Sequence, residues 1–282
     1  MGIDFGPGFH APAERPVDID AYDQYIGRWS RLFVPVLLAA IEVTVGDHVL
    51  DVATGPGESA AMALSVVGGA GLVVGADISQ TMVDAAWLRL KHLSFLPVAT
   101  DGQALPFKDG CFDAVVCQLG LQFFPDPVRG LSEFRRVLRT GKRAAVCVPS
   151  TADRIPMWGP LSDTLSNYFL DQRDALHLTF ALADAERLEH MFATAGFSDV
   201  LVKREMRRGV VDSFDDYWAT IEAATGMMPQ AYRALPEPKR RSVRQEVEAR
   251  LSEFVSLRGI EMPIEVLIVS GRHRPVEISP AR

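Results

Sequence analysis

The feature that most restricts the fold of this chain is an alternation. Short apolar runs of strand length, each closed by a polar residue, are separated by helical patterns. His48-Val-Leu-Asp51, Leu72-Val-Val-Gly-Ala-Asp77 and Phe95-Leu-Pro-Val-Ala-Thr-Asp101 end in aspartate, and Phe112-Asp-Ala-Val-Val-Cys-Gln118 ends in glutamine. A fifth run, Arg143-Ala-Ala-Val-Cys-Val148, follows a helical stripe of Leu131, Phe134, Val137 and Leu138. The four polar ends lie 26, 24 and 17 residues apart, and each interval matches one strand–helix–strand unit. Strands apolar on both faces need cover on both faces, so the pattern predicts an α/β fold with a mostly parallel sheet between helices.

The rest of the chain extends this reading. A short helix is expected over Val36–Val43, and a helical stripe of Leu188, Met191, Phe192 and Ala195 stops at Gly196, the expected cap position. Asp199–Val211 and Ile264–Ser270 read as two further strands. Thr151–Leu182 and Asp212–Met262 break the alternation and read as insertions folded over the sheet; the second carries an amphipathic stripe of Val243, Val247, Leu251, Phe254 and Val255. The first twenty residues are rich in Gly and Pro and are expected to be mobile unless pinned.

Composition excludes several classes. With 48% apolar and 23% charged residues, the 282-residue chain reads as globular. A net charge of −7 gives no support to a polyanion partner. The basic run Lys239-Arg-Arg241, with Arg233, Arg244 and Arg250, is interleaved with Glu237, Glu246, Glu248 and Glu253, the pattern of a solvated helix face. Cys111, Cys117 and Cys147 form neither a disulfide framework nor a zinc spacing. His10, His48, His92, His190 and His273 show no metal-like grouping, so no metal is expected. Ser59 to Ala76 carries no charge, but Gly68, Gly69 and Gly71 divide it into a helix, a turn and a strand rather than a membrane span. No signal or myristoylation pattern opens the chain, which therefore reads as soluble and cytoplasmic, with no membrane partner.

Chemistry concentrates at the carboxyl ends of the strands, where open parallel sheets bind ligands. The loop Thr54-Gly-Pro-Gly-Glu-Ser-Ala60 follows the first strand; Gly55 and Gly57 permit positive φ and a close ligand approach. A tight turn without a ligand would explain the glycines alone, but not the acids that close the next two strands. The loop also satisfies G-x-G-x-x-A, and Asp77 lies 22 residues beyond Gly55, as in dinucleotide sites. A dehydrogenase would leave the motif at Asp101 unexplained.

Val49-Leu-Asp-Val-Ala-Thr-Gly-Pro-Gly-Glu58 resembles the first motif of class I S-adenosylmethionine-dependent methyltransferases, and Ala76-Asp-Ile-Ser-Gln-Thr-Met82 resembles the second. Asp101-Gly-Gln-Ala-Leu-Pro-Phe107 with Phe112-Asp-Ala-Val-Val resembles the branch that includes the ubiquinone and menaquinone biosynthesis methyltransferases. Thr140-Gly-Lys stands where that branch has Pro-Gly-Gly, at a turn remote from the strand ends. The resemblance, which covers about residues 45–150, implies a Rossmann-like, mostly parallel seven-stranded sheet with helical cap insertions. Residues 1–30 would form an N-terminal segment and lid, 31–150 the cofactor core, 151–182 a cap insertion, 183–211 the core continued, 212–262 a helical cap insertion, and 263–282 the last strand and tail.

It also implies S-adenosyl-L-methionine as cofactor and a set of contacts. Gly55 and Gly57 would let its methionine portion lie against the backbone, with Ala53 and Thr54 beside them. Asp51 would anchor that portion directly or through water. Asp77 would accept from the ribose hydroxyls, Ile78 would pack on the adenine, and Met82 closes the same motif. Asp101 would accept from the adenine amino group beside Gly102, and Gln118 and Leu119 would floor the sulfonium. The loop's lack of Lys or Arg fits a cofactor without phosphate.

Methyl transfer from a sulfonium is mainly a positioning task, with the acceptor held in line at about 3 Å. Tyr22, Tyr25, Arg28 and Trp29 form an aromatic–basic cluster expected to close over the site, Tyr25 and Arg28 toward the cofactor and Tyr22 and Trp29 toward the acceptor; alternatively these rings simply dock the N-terminal helix. Phe123, Trp158 and Tyr168 are further pocket candidates. His177 and Gln122 are the candidates for a catalytic role, although a lone histidine is more often structural. Met227 and Met228 could line an apolar pocket or pack in the core. The reading is methyl transfer to a small, partly apolar molecule. Alternatives are a macromolecular or lipid-headgroup acceptor, or a catalytically silent cofactor-binding module. The amphipathic helix could also bury its stripe on a second copy, as a homodimer.

Overall fold

The structure is a computed structural model and describes residues 18–91 and 93–274. The Gly- and Pro-rich opening residues, His10, His92 and the tail beyond residue 274 lie outside the described residues.

An N-terminal run of α1 (Ile19–Tyr22), a five-residue π turn (Asp23–Gly27), α2 (Arg28–Ser30) and α3 (Val34–Ala39) precedes the sheet. β1 (His48–Val52) leads to α4 (Glu58–Val67), β2 (Leu72–Asp77) to α5 (Gln80–Leu90), and β3 (Phe95–Ala99) through a loop to β4 (Phe112–Gln118). α6 (Pro127–Val137) precedes β5 (Leu138–Pro149). The first insertion carries α7 (Gly159–Ser166) and α8 (Arg173–Leu176); α9 (Ala185–Thr194) and β6 (Ser198–Val211) return to the core. The second insertion holds α10 (Phe214–Ala223), α11 (Met227–Ala234) and α12 (Glu237–Leu251), before β7 (Val255–Ser256) and β8 (Gly259–Arg272).

The sheet runs β3-β2-β1-β4-β5-β8-β6, with the two-residue β7 paired to β8. The first five strands are parallel, and β8 is antiparallel to both β5 and β6. Strand order therefore reverses between β1 and β4, which opens a crevice at their carboxyl ends. The expected seven-stranded, mostly parallel sheet is present, and β7 adds a short eighth strand.

Period-two alternation divides the apolar side chains between two faces. Leu50, Val52, Val115 and Cys117 pack with Leu131 and Phe134 of α6 and Leu188 and Phe192 of α9. Val49, Ala114 and Val116 pack on the opposite face, beneath α3, α4 and both insertions. The insertions thus extend one core rather than forming a separate unit. The uncharged stretch forms α4, a turn at Gly68–Ala70 and β2. Among the described residues no helix is long and apolar enough to cross a membrane. Gly196 ends α9 at φ +87°, a conformation that favours glycine.

One expectation about the second insertion needs correction. The boundary at residue 262 falls inside a strand, because Gly259–Met262 already belong to β8, and Val211 pairs with Ile260. A long hairpin-like pairing therefore brackets the insertion. The α12 stripe is covered within the chain: Val243, Val247 and Leu251 are buried. Thr164 Oγ1 donates to Glu246 Oε1 at 2.8 Å, and Arg250 Nη2 donates to Asp163 Oδ2 at 2.7 Å, which ties α12 to α7. Val255 stands outside this stripe, exposed on β7. On the same helix Arg241 pairs with Glu237, and Arg244 pairs with Asp215 of α10.

Candidate active site

β1, β2 and β4 end at one cleft of about 290 Å³, joined by the turn after β3. Its lining includes Ala53, Gly55, Asp77, Ile78, Met82, Asp101, Gly102, Gln118, Leu119 and Tyr22. No Lys or Arg is among the lining residues. Sequence reasoning had singled out all ten of these residues, and folding brings them together.

The loop after β1 is held by its acids. Asp51 is fully buried, and its Oδ2 accepts from Thr54 Oγ1 at 2.8 Å. Its Oδ1 has no hydrogen-bond partner within the chain. Burial above all pushes the Asp51 carboxyl up to about 7, with the Glu58 and Asp77 carboxylates adding repulsion and Thr54 opposing it. Asp77 Oδ2 accepts from the Gly55 amide and Oδ1 from the Ser79 amide, both at 2.9 Å. Burial raises its pKa, against the pull of these amides. The Ile78 amide acts on this carboxylate as well, so three backbone amides converge on it.

Backbone geometry shapes the floor. Ala53 at the end of β1 and Leu119 at the end of β4 adopt φ of +56° and +52°. Such φ is uncommon for non-glycine residues and collects at functional sites. Gly55 is also left-handed, at φ +55°, and a Cβ there would stand 3.4 Å from Tyr22 Oη. Gly57 serves packing instead: at φ +91° it precedes α4, and a Cβ would meet Leu90 Cδ1 at 2.9 Å.

The N-terminal segment closes over this cleft through a tether. Gln118 Nε2 donates to Ser30 O at 2.6 Å, and Gln118 Oε1 accepts from Ser59 Oγ at 2.5 Å. Gln118 therefore joins the segment, β4 and α4, and its amide is already committed. A second link went unread in the sequence. Arg89 Nη1 donates to Glu58 Oε1 at 2.8 Å, while Asp23 Oδ2 receives Arg89 Nη2 and Arg31 Nη1, each at 3.2 Å. Burial, then the neighbouring Asp23 carboxyl, raises Glu58 to about 7 against the opposing Arg89 charge. An acid opening a long uncharged helix was the available signal.

A second, smaller pocket adjoins the cleft. It encloses about 50 Å³, room for roughly three or four waters. Tyr22, Leu119 and Phe123 line both spaces. Tyr25, Gln122 and Trp158 complete its wall with Met227 and Met228 from the second insertion and Thr179 from the first. Both methionines thus face the pocket, and Thr179 and Gly226 are lining residues that sequence reasoning missed.

Several candidates lie elsewhere. Thr54 and Asp51 sit beneath the loop rather than in the cleft lining. Tyr25 lines the smaller pocket, not the larger. The Arg28 guanidinium lies 4.2 Å from the Trp29 ring centroid, and the charges of Asp212 and Asp216 act on it from the second insertion. Trp29 is buried against Gly209 of β6. His177 Nε2 faces Asp163 Oδ1 at 3.6 Å, and neither lines a wall of the two pockets. Tyr168 packs under Lys239, with Nζ 5.6 Å from the ring centroid. Tyr25 lies within the π turn at Asp23–Gly27, and Arg28 and Trp29 directly follow it.

A methyltransferase-domain family matches residues 50–146. The ubiquinone/menaquinone biosynthesis C-methyltransferase UbiE of Xylella fastidiosa is 34% identical over 188 residues, spanning 60% of this chain and 71% of that protein. The demethylmenaquinone methyltransferase of Staphylococcus carnosus is 30% identical over 180 residues, spanning 59% and 74%. A solved protein of Bacillus halodurans C-125 shares the fold with a TM-score of 0.58 at 19% identity, covering 86% of this chain and 99% of that one. The chain belongs to the class I S-adenosylmethionine-dependent methyltransferases, and S-adenosylmethionine is its cofactor.

Proposed function

We propose that this enzyme methylates a small, partly apolar molecule held in the smaller pocket, with the cofactor in the larger cleft. The observation that carries this reading is the contiguity of the two spaces. They share Tyr22, Leu119 and Phe123, and the smaller one is walled by both insertions. An acceptor there would be positioned against the cofactor and shielded from water, which is most of what methyl transfer requires. The names of the relatives, a C-methyltransferase of ubiquinone/menaquinone biosynthesis and a demethylmenaquinone methyltransferase, favour an acceptor with a quinone-type ring.

The residues present fit the cofactor. Asp51 Oδ1 is a buried carboxylate oxygen without a partner in the chain, suited to attract the cofactor's ammonium through the loop or through water. Asp77 would accept from the ribose hydroxyls, Asp101 from the adenine amino group, and Ile78 and Met82 would meet the apolar faces of the ring. Gly102 beside them lets Phe124 pack against the turn, because a Cβ there would meet Phe124 Cζ at 2.5 Å. The lining without Lys or Arg suits a ligand that has no phosphate and disfavours a dinucleotide. Bound S-adenosylmethionine supplies the electrophilic methyl group.

The chain's own part is to bind, orient and enclose. Tyr22 stands between the two spaces, and burial raises its phenol pKa, followed by repulsion from Glu58, Asp77, Asp23 and Asp51, so it stays protonated. Gln118 holds the N-terminal segment down. No Asp, Glu, His, Lys or Arg lines the smaller pocket, which favours an acceptor that reacts without a strong base from the protein. The test is S-adenosylhomocysteine formation with a panel of small hydroxylated aromatics, total RNA and anionic lipid vesicles. Turnover of small rings at a rate insensitive to salt is expected. Turnover restricted to RNA or vesicles would refute the enclosed-acceptor reading, and none at all would favour a silent binding module.

A further inference from the structure

We infer that Tyr25, Gln122 and Trp158 form the hydrogen-bonding set that selects the acceptor. The molecule they select is uncharged, and the edge it places in this pocket carries one oxygen that accepts a hydrogen bond and one hydroxyl that donates one. The inference rests on the reading of the smaller pocket as the acceptor site and names its chemistry.

Three segments distant in sequence deliver these side chains: the N-terminal π turn, the turn after β4 and the first insertion. Their residues are only 4%, 3% and 4% exposed. Each ends in a polar atom with no hydrogen-bond partner within the chain, namely Tyr25 Oη, Gln122 Oε1 and Trp158 Nε1. All three residues line the same small pocket. Buried polar side-chain atoms are nearly always paired, so three orphans around one cavity call for a common explanation. A ligand that completes them supplies it.

The chemistry of each atom defines the complement. Trp158 Nε1–H can only donate, so it asks for an oxygen with a free lone pair. Gln122 Nε2 donates to Leu119 O at 2.9 Å, which fixes the amide and leaves Oε1 as the open end, asking for a donor. Burial raises the Tyr25 phenol well above its ordinary value, so its hydroxyl stays neutral and can donate or accept. The rest of the wall, including Ile26, Phe123, Met227 and Met228, is apolar or aromatic. With no charged side chain in the lining, a carboxylate, phosphate or ammonium would lose its water without gaining a counter-charge.

The test uses the full chain and three variants, Tyr25→Phe, Gln122→Leu and Trp158→Phe, in two arms. Without ligand, Tyr25→Phe removes one orphaned oxygen and keeps the ring, so its melting temperature is expected to hold or rise. A fall of several degrees would mean that the hydroxyl serves the fold, and would overturn the inference. In the second arm, calorimetry measures 4-methoxyphenol, 1,4-dimethoxybenzene and 4-methoxybenzoate against protein saturated with S-adenosylhomocysteine.

The phenol is expected to bind at least tenfold tighter than either analogue, about the effect of one unpaired buried group. Gln122→Leu should abolish its advantage over the dimethoxy compound, and Trp158→Phe should weaken both neutral probes. Equal binding of the dimethoxy compound, tighter binding of the carboxylate, or no binding of any probe would overturn the inference. S-adenosylhomocysteine affinity separates the two failures. If it does not bind, the reading of both pockets falls; if it binds while the probes do not discriminate, the hydrogen-bonding set falls alone.

Discussion

Replacing Asp51 by asparagine should make the ligand-free protein more stable and its cofactor affinity weaker. The fully buried carboxyl titrates near 7 instead of 3.8, chiefly through burial. Because the folded-state value is raised, the folded protein binds this proton more tightly than the unfolded chain. Wild-type stability then falls as pH rises from about 4 to about 7, and the loss is complete above 7. At about 1.4 kcal/mol per pH unit the ionised group costs the fold up to ~4 kcal/mol. Asparagine keeps an oxygen for Thr54 Oγ1 and carries no charge. Thermal unfolding followed by circular dichroism should therefore show the Asp51→Asn variant melting roughly 4–8 °C above wild type at pH 8, taking about 2 °C per kcal/mol for a chain of this size. The gap should shrink toward pH 5. Cofactor affinity should drop about tenfold, the scale of one charge-assisted contact. A variant less stable at pH 8, or a gap that ignores pH, would refute the reasoning.

Gln118→Leu should cut both ends of the tether to Ser30 and Ser59. We expect ~1–3 kcal/mol of lost stability from the stranded partners, and a raised KM for S-adenosylmethionine in initial-rate assays as the N-terminal segment loosens. Gly57→Ala places a Cβ at φ +91° against Leu90 Cδ1. Denaturant unfolding should show ~1–2 kcal/mol of destabilisation, with cofactor affinity per folded molecule nearly unchanged, because the residue does not line the cleft.

The sheet and the cleft at its carboxyl edge were largely legible in the sequence because strand ends are marked by composition. Asp51, Asp77, Asp101 and Gln118 each close an apolar run, and parallel topology alone carries such residues to one edge of the sheet. The αL cap at Gly196 and the break at Gly68 were readable for a similar reason, as both are local backbone demands. What stayed hidden depends on direction. Tyr25 and Arg28 sit three residues apart, yet one lines the smaller pocket and the other points toward the second insertion. His177 looked like a candidate by residue type and proved to face Asp163, since nothing in the local pattern says where an insertion turns its side chains. The left-handed backbone at Ala53 and Leu119 has no compositional mark, because the usual glycine is absent at both. The Asp23–Glu58–Arg89 link joins residues up to 66 positions apart, beyond the reach of periodicity.

The central claim is that the carboxyl ends of β1, β2 and β4, with the turn after β3, form the cofactor site and that Asp77 holds the ribose. Calorimetric titration of S-adenosylmethionine, with NAD as the competitor chemistry, into wild type and Asp77→Ala tests it most directly. Wild type should bind S-adenosylmethionine and ignore NAD, and the variant should lose at least tenfold in affinity while remaining folded by circular dichroism. Undiminished binding by the variant, or preference for NAD, would contradict the claim.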